Sequence, residues 1–133
     1  DLVSSRGLGD VYKRQVDAGA EFIVTQLFYD NEKFFDFVKK CREIGIKVPI
    51  IPGIKPITNL RHLSFIPKFF HVNFPESFSN ELEKCKTDEE IKRVGIEWTT
   101  AQCKELVKAD IPVIHFYTMG RGTAVKNIAK EIF

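Results

Sequence analysis

Residues 21–30, EFIVTQLFYD, constrain the fold more than any other stretch of the chain. The run is apolar at most positions, and continuous apolar runs of this length belong to strands of parallel sheets covered by helices on both faces. One residue interrupts it. A buried Gln26 amide must be hydrogen-bonded or it costs about 1–3 kcal/mol. Two readings stand side by side: a structural glutamine bonded to nearby backbone, or a side chain at the strand's C-terminal end that faces a ligand.

The residues that follow extend the pattern. Asp30 is a good N-cap, and Phe34, Val38 and Cys41 recur at helical spacing with Phe37 and Ile44 beside them. Gly45 suits the residue just past a helix end. A second apolar run, KVPIIPGI, comes at once. Strand, turn, amphipathic helix and strand make a βαβ unit, which implies a right-handed crossover and a parallel sheet.

The interval from Pro56 to Asp110 is long for one crossover. Thr58 or Asn59 can cap a short helix through NLRHLSFI, which Pro67 should end or kink. Pro75 suits the first position of another short helix. Thr87 and Glu90 form a capping box that opens a long helix to about Lys108, with Ile91, Val94, Trp98, Ala101 and Leu106 on its inner face. IPVIHFYT then reads as a third buried strand. After an MGRG loop, Thr123 caps a last helix with Val125, Ile128, Ala129 and Ile132 inward. The order β-α-β-(broken α, α)-β-α gives an α/β chain, part of an open doubly wound sheet or of a (β/α)8 TIM barrel. A whole barrel takes about 250 residues, so 133 residues can be less than half of one. Such a piece leaves strand edges unpaired.

Bulk properties exclude several classes. A net charge of +2 gives no reason to expect nucleic acid or an acidic partner. No apolar stretch approaches the ~18 residues of a membrane span, and no secretory signal is evident. Cys41, Cys85 and Cys103 lack metal-like spacing and read as buried or idle thiols in a reducing, cytoplasmic compartment. Residues 1–15, DLVSSRGLGDVYKRQ, have no periodicity, and no Met opens the chain. They resemble a translated cloning or sequencing adapter, so the division expected is a foreign segment at 1–15 and a native one at 16–133. The first is expected to add little to the core.

In both candidate architectures ligands sit at the C-terminal ends of the strands. The first end carries Thr25 and Gln26, the second Pro52 and Gly53 followed by Lys55 and Pro56, and the third Tyr117 and Thr118 followed by Gly120, Arg121 and Gly122. A glycine at the second end lets a flat ligand or another backbone approach closely. The Gly-Arg-Gly-Thr turn could cradle an anion on backbone N–H groups, though loop glycines have many uses. Arg121 suits a carboxylate or a polar ring edge, with a solvated loop arginine as the plain alternative. His62 sits early in a helix and could reach the strand-end face, whereas His115 within a strand reads as a core histidine. The histidines are too scattered for a metal site, and no catalytic acid or nucleophile is evident.

Taken together, VDAGAEFIVTQLFYD, GIKVPIIPGIKPITN and HFYTMGRGTA resemble the C-terminal part of the catalytic domain of the 5,10-methylenetetrahydrofolate reductase family, over about residues 16–133. The resemblance implies strands six to eight of a (β/α)8 barrel that binds FAD, takes a hydride from NAD(P)H and reduces methylenetetrahydrofolate to 5-methyltetrahydrofolate. It assigns Gln26 to the pterin and the nicotinamide carboxamide, which an amide can serve as donor and acceptor. It places His62, Tyr117 and Arg121 at the folate site. The family's acid glutamate and most flavin contacts belong to earlier strands, and its basic flavin contact falls at Gln15. The resemblance further implies a homo-oligomeric parent and an isolated chain that is inactive. Two other readings remain: another flavin-linked barrel oxidoreductase such as proline dehydrogenase, and a self-contained half-barrel acting as a binding or assembly module.

Overall fold

The structure, a computed structural model, describes residues 6–118 and 123–132, with side chains from Val11 onward. In chain order the elements are α1 (Arg6–Asp17), β1 (Ile23–Leu27), α2 (Asn31–Glu43), β2 (Ile50–Ile54), α3 (Leu60–Phe70), α4 (Glu76–Glu83), α5 (Asp88–Lys108), β3 (His115–Phe116) and α6 (Thr123–Ile132). The strands form one parallel sheet in the order β1-β2-β3. Ile23 lies opposite Ile50, Leu27 opposite Gly53, and Gly53 opposite His115. A register shift falls between Val24 and Leu27, at the stretch that carries Gln26.

Local chemistry explains the first βαβ unit. Asp30 caps α2 by accepting from the Glu32 N–H at 3.0 Å. Gly45 follows the helix at φ +91°, a conformation that an L side chain rarely adopts. Phe34, Phe37 and Cys41 are buried on the inner face. Ile44 is exposed, contrary to expectation, because it is the C-cap residue and its side chain has left the helical stripe.

Beyond β2 the expectations need correction in detail. Asn59 caps α3 by accepting from the His62 N–H at 3.1 Å. Pro67 does not end that helix, which runs on to Phe70. A proline this near the C-terminus removes one N–H, while fully buried Ile66 anchors the turn. Pro75 is the N-cap of α4 and not its first helical residue. Thr87 caps α5, its Oγ1 accepting from the Glu90 N–H at 3.2 Å. The buried face of α5 is Ile91, Gly95, Thr99, Gln102, Cys103 and Leu106, so Ala101 turns outward. The rotation has a cause. Gly95 abuts the β2–α3 turn, where an added Cβ would lie 1.9 Å from the Ile57 carbonyl oxygen. Trp98 then reaches sideways, donating from Nε1 to the Tyr29 carbonyl at 2.9 Å.

Two core clusters result. One packs Ile23, Ile50 and Ile54 of the sheet against α2, α5 and α6. The other lies around the chain leaving β1 and β2, where Tyr29, Ile57, Ile66, Phe78 and Ile91 meet. There Phe78 and Trp98 stack at 4.6 Å. Phe22 and Val113, which lead into the two edge strands, β1 and β3, are left outside both clusters. Phe22 is 55% exposed and Val113 is 52% exposed. The third strand is only two residues long, and His115 is exposed and not a core residue, because β3 is an edge of this sheet.

Helix α1 crosses from residue 15 to residue 16 without a break. Tyr12 and Val16, four apart on one face, pack on the first cluster, with the Tyr12 ring edge-on to Phe37 at 5.3 Å. The helix is a departure from the aperiodic segment expected. Among the described side chains of residues 11–15, none is fully buried.

Candidate functional site

The C-terminal ends of β1, β2 and β3 come together on one side of the sheet, and two cavities open there. The smaller, about 330 Å³, is lined by Gln26, Leu27, Phe70, Tyr117 and Thr118. Gln26 does not lie buried in the sheet. Its side chain is exposed, with Nε2 donating to the Phe70 carbonyl and no bond made by its oxygen among the described residues. The alternation explains this: Ile23, Thr25 and Leu27 turn toward the packed interior, which leaves Gln26 on the opposite face. Half of the backbone-bonded reading therefore holds, and the amide oxygen is free to meet a ligand.

Tyr117 is the fixed wall of this cavity. Its N–H donates to the Ile54 carbonyl at 2.8 Å, and its hydroxyl donates to the Thr25 carbonyl at 2.9 Å. The ring lies over Gly53, where an added Cβ would be 2.6 Å from the ring and 2.4 Å from the Thr25 carbonyl. The glycine at the second strand end thus admits the chain's own tyrosine and backbone. Thr25 locks the same corner, its Oγ1 accepting from the Gly53 N–H at 3.0 Å. Burial raises the Tyr117 pKa, which keeps the phenol a donor at neutral pH.

Beyond Tyr117 lies a cavity of about 520 Å³, lined in part by Lys55, Asn59, Arg61, His62, Lys92 and Thr123. Tyr117 and Thr118 line both cavities, so His62 joins Gln26 only across this shared wall. His62 Nδ1 accepts from the Thr58 N–H at 3.0 Å. Burial, then the charges of Lys55 and Arg61, lower its pKa to about 4, against a weaker upward pull from Asp88. The ring is neutral at pH 7. Arg121 lies outside the described residues.

Lys55 escaped the sequence reading as a site residue. The only signal was its place directly after the apolar run IIPGI, where a buried cation is unusual. Cys41 and Cys103 are buried, and burial pushes the Cys103 thiol up to about 12. Among the described residues, no three His, Cys, Asp or Glu side chains are grouped to hold a metal ion. Nor is any described helix long and apolar enough to cross a membrane.

Comparison with known proteins adds the following. The family model for methylenetetrahydrofolate reductase matches residues 5–132. Methylenetetrahydrofolate reductase (NADH) 1 of Arabidopsis thaliana is 44% identical over 108 residues, covering 80% of this chain and 18% of that protein. A probable methylenetetrahydrofolate reductase (NADPH) of Caenorhabditis elegans is 39% identical over 122 residues, covering 90% of this chain and 18% of that protein. The 5,10-methylenetetrahydrofolate reductase of Salmonella typhimurium is 36% identical over 110 residues, or 82% of this chain and 37% of that protein. The chain therefore spans well under half the length of these relatives. A similar fold, with a TM-score of 0.58 at 19% identity, occurs in a Clostridium thermocellum protein that binds two copies of 5-methyl-5,6,7,8-tetrahydrofolic acid; the match covers 94% of this chain and 46% of that one.

Proposed function

The chain belongs to the methylenetetrahydrofolate reductase family, and from that premise we propose that it supplies strands six to eight of a reductase barrel whose folate site includes the Gln26–Tyr117 cavity. The observation that carries this reading is the meeting of Gln26 at the end of β1 and Tyr117 at the end of β3 in one cavity, with the Tyr117 ring reaching across Gly53 of β2. The free oxygen of Gln26 and the N–H that it does not give to Phe70 suit a pterin edge, which presents donors and acceptors side by side. Leu27, Phe70 and Tyr117 supply apolar surface for a flat ring. His62, neutral and beyond the tyrosine wall, and Arg121 belong to the same substrate region in this reading. The folate-binding protein of similar fold lends further support.

FAD does not fit the Gln26 cavity by itself. The Gln26 cavity has no cation on its lining to meet a diphosphate. The flavin, which would supply hydride transfer from NAD(P)H, belongs in this proposal to the preceding strands. The exposed Phe22 and Val113, which lead into the two edge strands, favour a part of a larger barrel over a self-contained half-barrel. In the same proposal residues 16–133 are the reductase segment and residues 1–15 are foreign to it, while α1 and the family match both run across that boundary.

The test is Gln26→Ala in the full-length parent reductase. The expected result is unchanged FAD content with the folate half-reaction about tenfold slower, the loss of one oriented hydrogen bond. A folate half-reaction at the parent rate would overturn the site assignment.

A further inference from the structure

Lys55 presents a charge problem that the folate reading does not solve. It is 4% exposed at the C-terminal end of β2, and its backbone is held there by the Tyr29 hydroxyl, which donates to the Lys55 carbonyl at 2.8 Å. Its Nζ donates to the Pro56 carbonyl at 3.1 Å. An ammonium has three donors, and among the described residues the other two have no partner and no carboxylate lies within 4.0 Å of Nζ. A sequestered cation without an acid is destabilising, and a buried charge is ordinarily paired.

The surroundings add positive charge. Arg61 and Lys92 line the same 520 Å³ cavity, beside the neutral ring of His62. The one carboxylate on that lining among the described residues, Asp88, is tied through Oδ1 to the Leu60 N–H at 2.9 Å at the start of α3, and its single negative charge is outnumbered by Lys55, Arg61 and Lys92. The cavity has room for more than a water molecule and opens toward solvent past the exposed Arg61 and Lys92.

We propose that this cavity is a binding site for an anionic group, a carboxylate or a phosphate, with Lys55 as its buried anchor and Arg61 and Lys92 at its rim. The site is separate from the Gln26 cavity, with Tyr117 as the wall between them. A free anion can occupy this cavity alone. Burial lowers the Lys55 pKa, and a bound anion would restore it.

The experiment is a titration of the purified 133-residue chain, followed by amide and histidine NMR, with inorganic phosphate and separately with N-(4-aminobenzoyl)-L-glutamate as a carboxylate probe. The expected result is saturable shifts at Lys55 and at Thr123 to Val125, with an upward shift of the His62 titration. The tighter probe identifies phosphate or carboxylate as the anion. Lys55→Met should weaken that binding by about tenfold or more, as for the loss of a charge-assisted hydrogen bond. If Lys55→Met does not fold, Arg61→Gln combined with Lys92→Gln serves instead, with several-fold weaker binding expected. No saturation by either probe at these residues, or an affinity unchanged in the folded variant, would overturn the proposal. Because phosphate carries no pterin, its result is independent of the folate reading.

Discussion

On the helix-covered side of the sheet, Phe34, Phe37, Ile46 and Ile54 are fully withdrawn from water. At the two edges, Phe22 and Val113 are about half exposed, and His115 and Gln26 lie in solvent. The same kinds of residue thus meet opposite fates within one small sheet. The covered side is determined by contacts this chain makes with itself. The edges carry apolar surface whose cover this chain does not provide, as expected of a segment whose relatives are several times longer. Gln26, a candidate site residue, lies at the second kind of surface, where packing leaves its amide oxygen without a partner among the described residues.

The contrast can be broken most forcefully on the covered side. Phe34→Ala removes a ring stacked on Phe28 at 5.2 Å and should destabilise the chain by about 3–5 kcal/mol in urea unfolding. A loss under about 1 kcal/mol would mean that this cluster is no true core.

A middle effect comes from His62. Its folded pKa, near 4, lies below the ordinary 6.5 of the unfolded chain. The unfolded state therefore binds the proton first as pH falls. The stability linked to His62 is fully present above about pH 6.5 and is lost progressively toward about pH 4. The ring is only half-buried, so the effect is modest. Urea midpoints between pH 4 and 7 should fall more steeply with acidity for the parent chain than for His62→Asn. Parallel slopes would contradict the depressed pKa. The smallest effect belongs to the edge: Phe22→Ser should change stability by less than about 0.5 kcal/mol, and a large loss would mean that this edge is already covered.

What the sequence made legible follows the same division. Asp30, Gly45, Asn59 and Thr87 were readable because capping is local chemistry, decided within four residues. The parallel βαβ order was readable from apolar runs and spacing. The burial of Gln26 and His115 was misjudged, because it depends on neighbours across the sheet and not on neighbours in sequence. The helix α3 outlasting Pro67, and the rotated face of α5, depend on tertiary contacts at Ile66 and Gly95. Of the candidate site residues, Gln26 and Tyr117 share a cavity and His62 adjoins it, while Arg121 lies outside the described residues. Lys55 was legible at the second strand end, but its burial was not, because a single lysine beside a strand has no periodicity to betray it.

In the proposed function this chain brings a folate-binding corner to a barrel whose flavin shell lies on other strands. The flavin absorbance spectrum tests it most directly, recorded on the purified 133-residue chain and on the same chain joined to the preceding strands of the full reductase. The expected result is a colourless chain with no reductase turnover, and a yellow FAD complex once the preceding strands are present. Stoichiometric FAD on the isolated chain would contradict it, as would a joined protein that binds none.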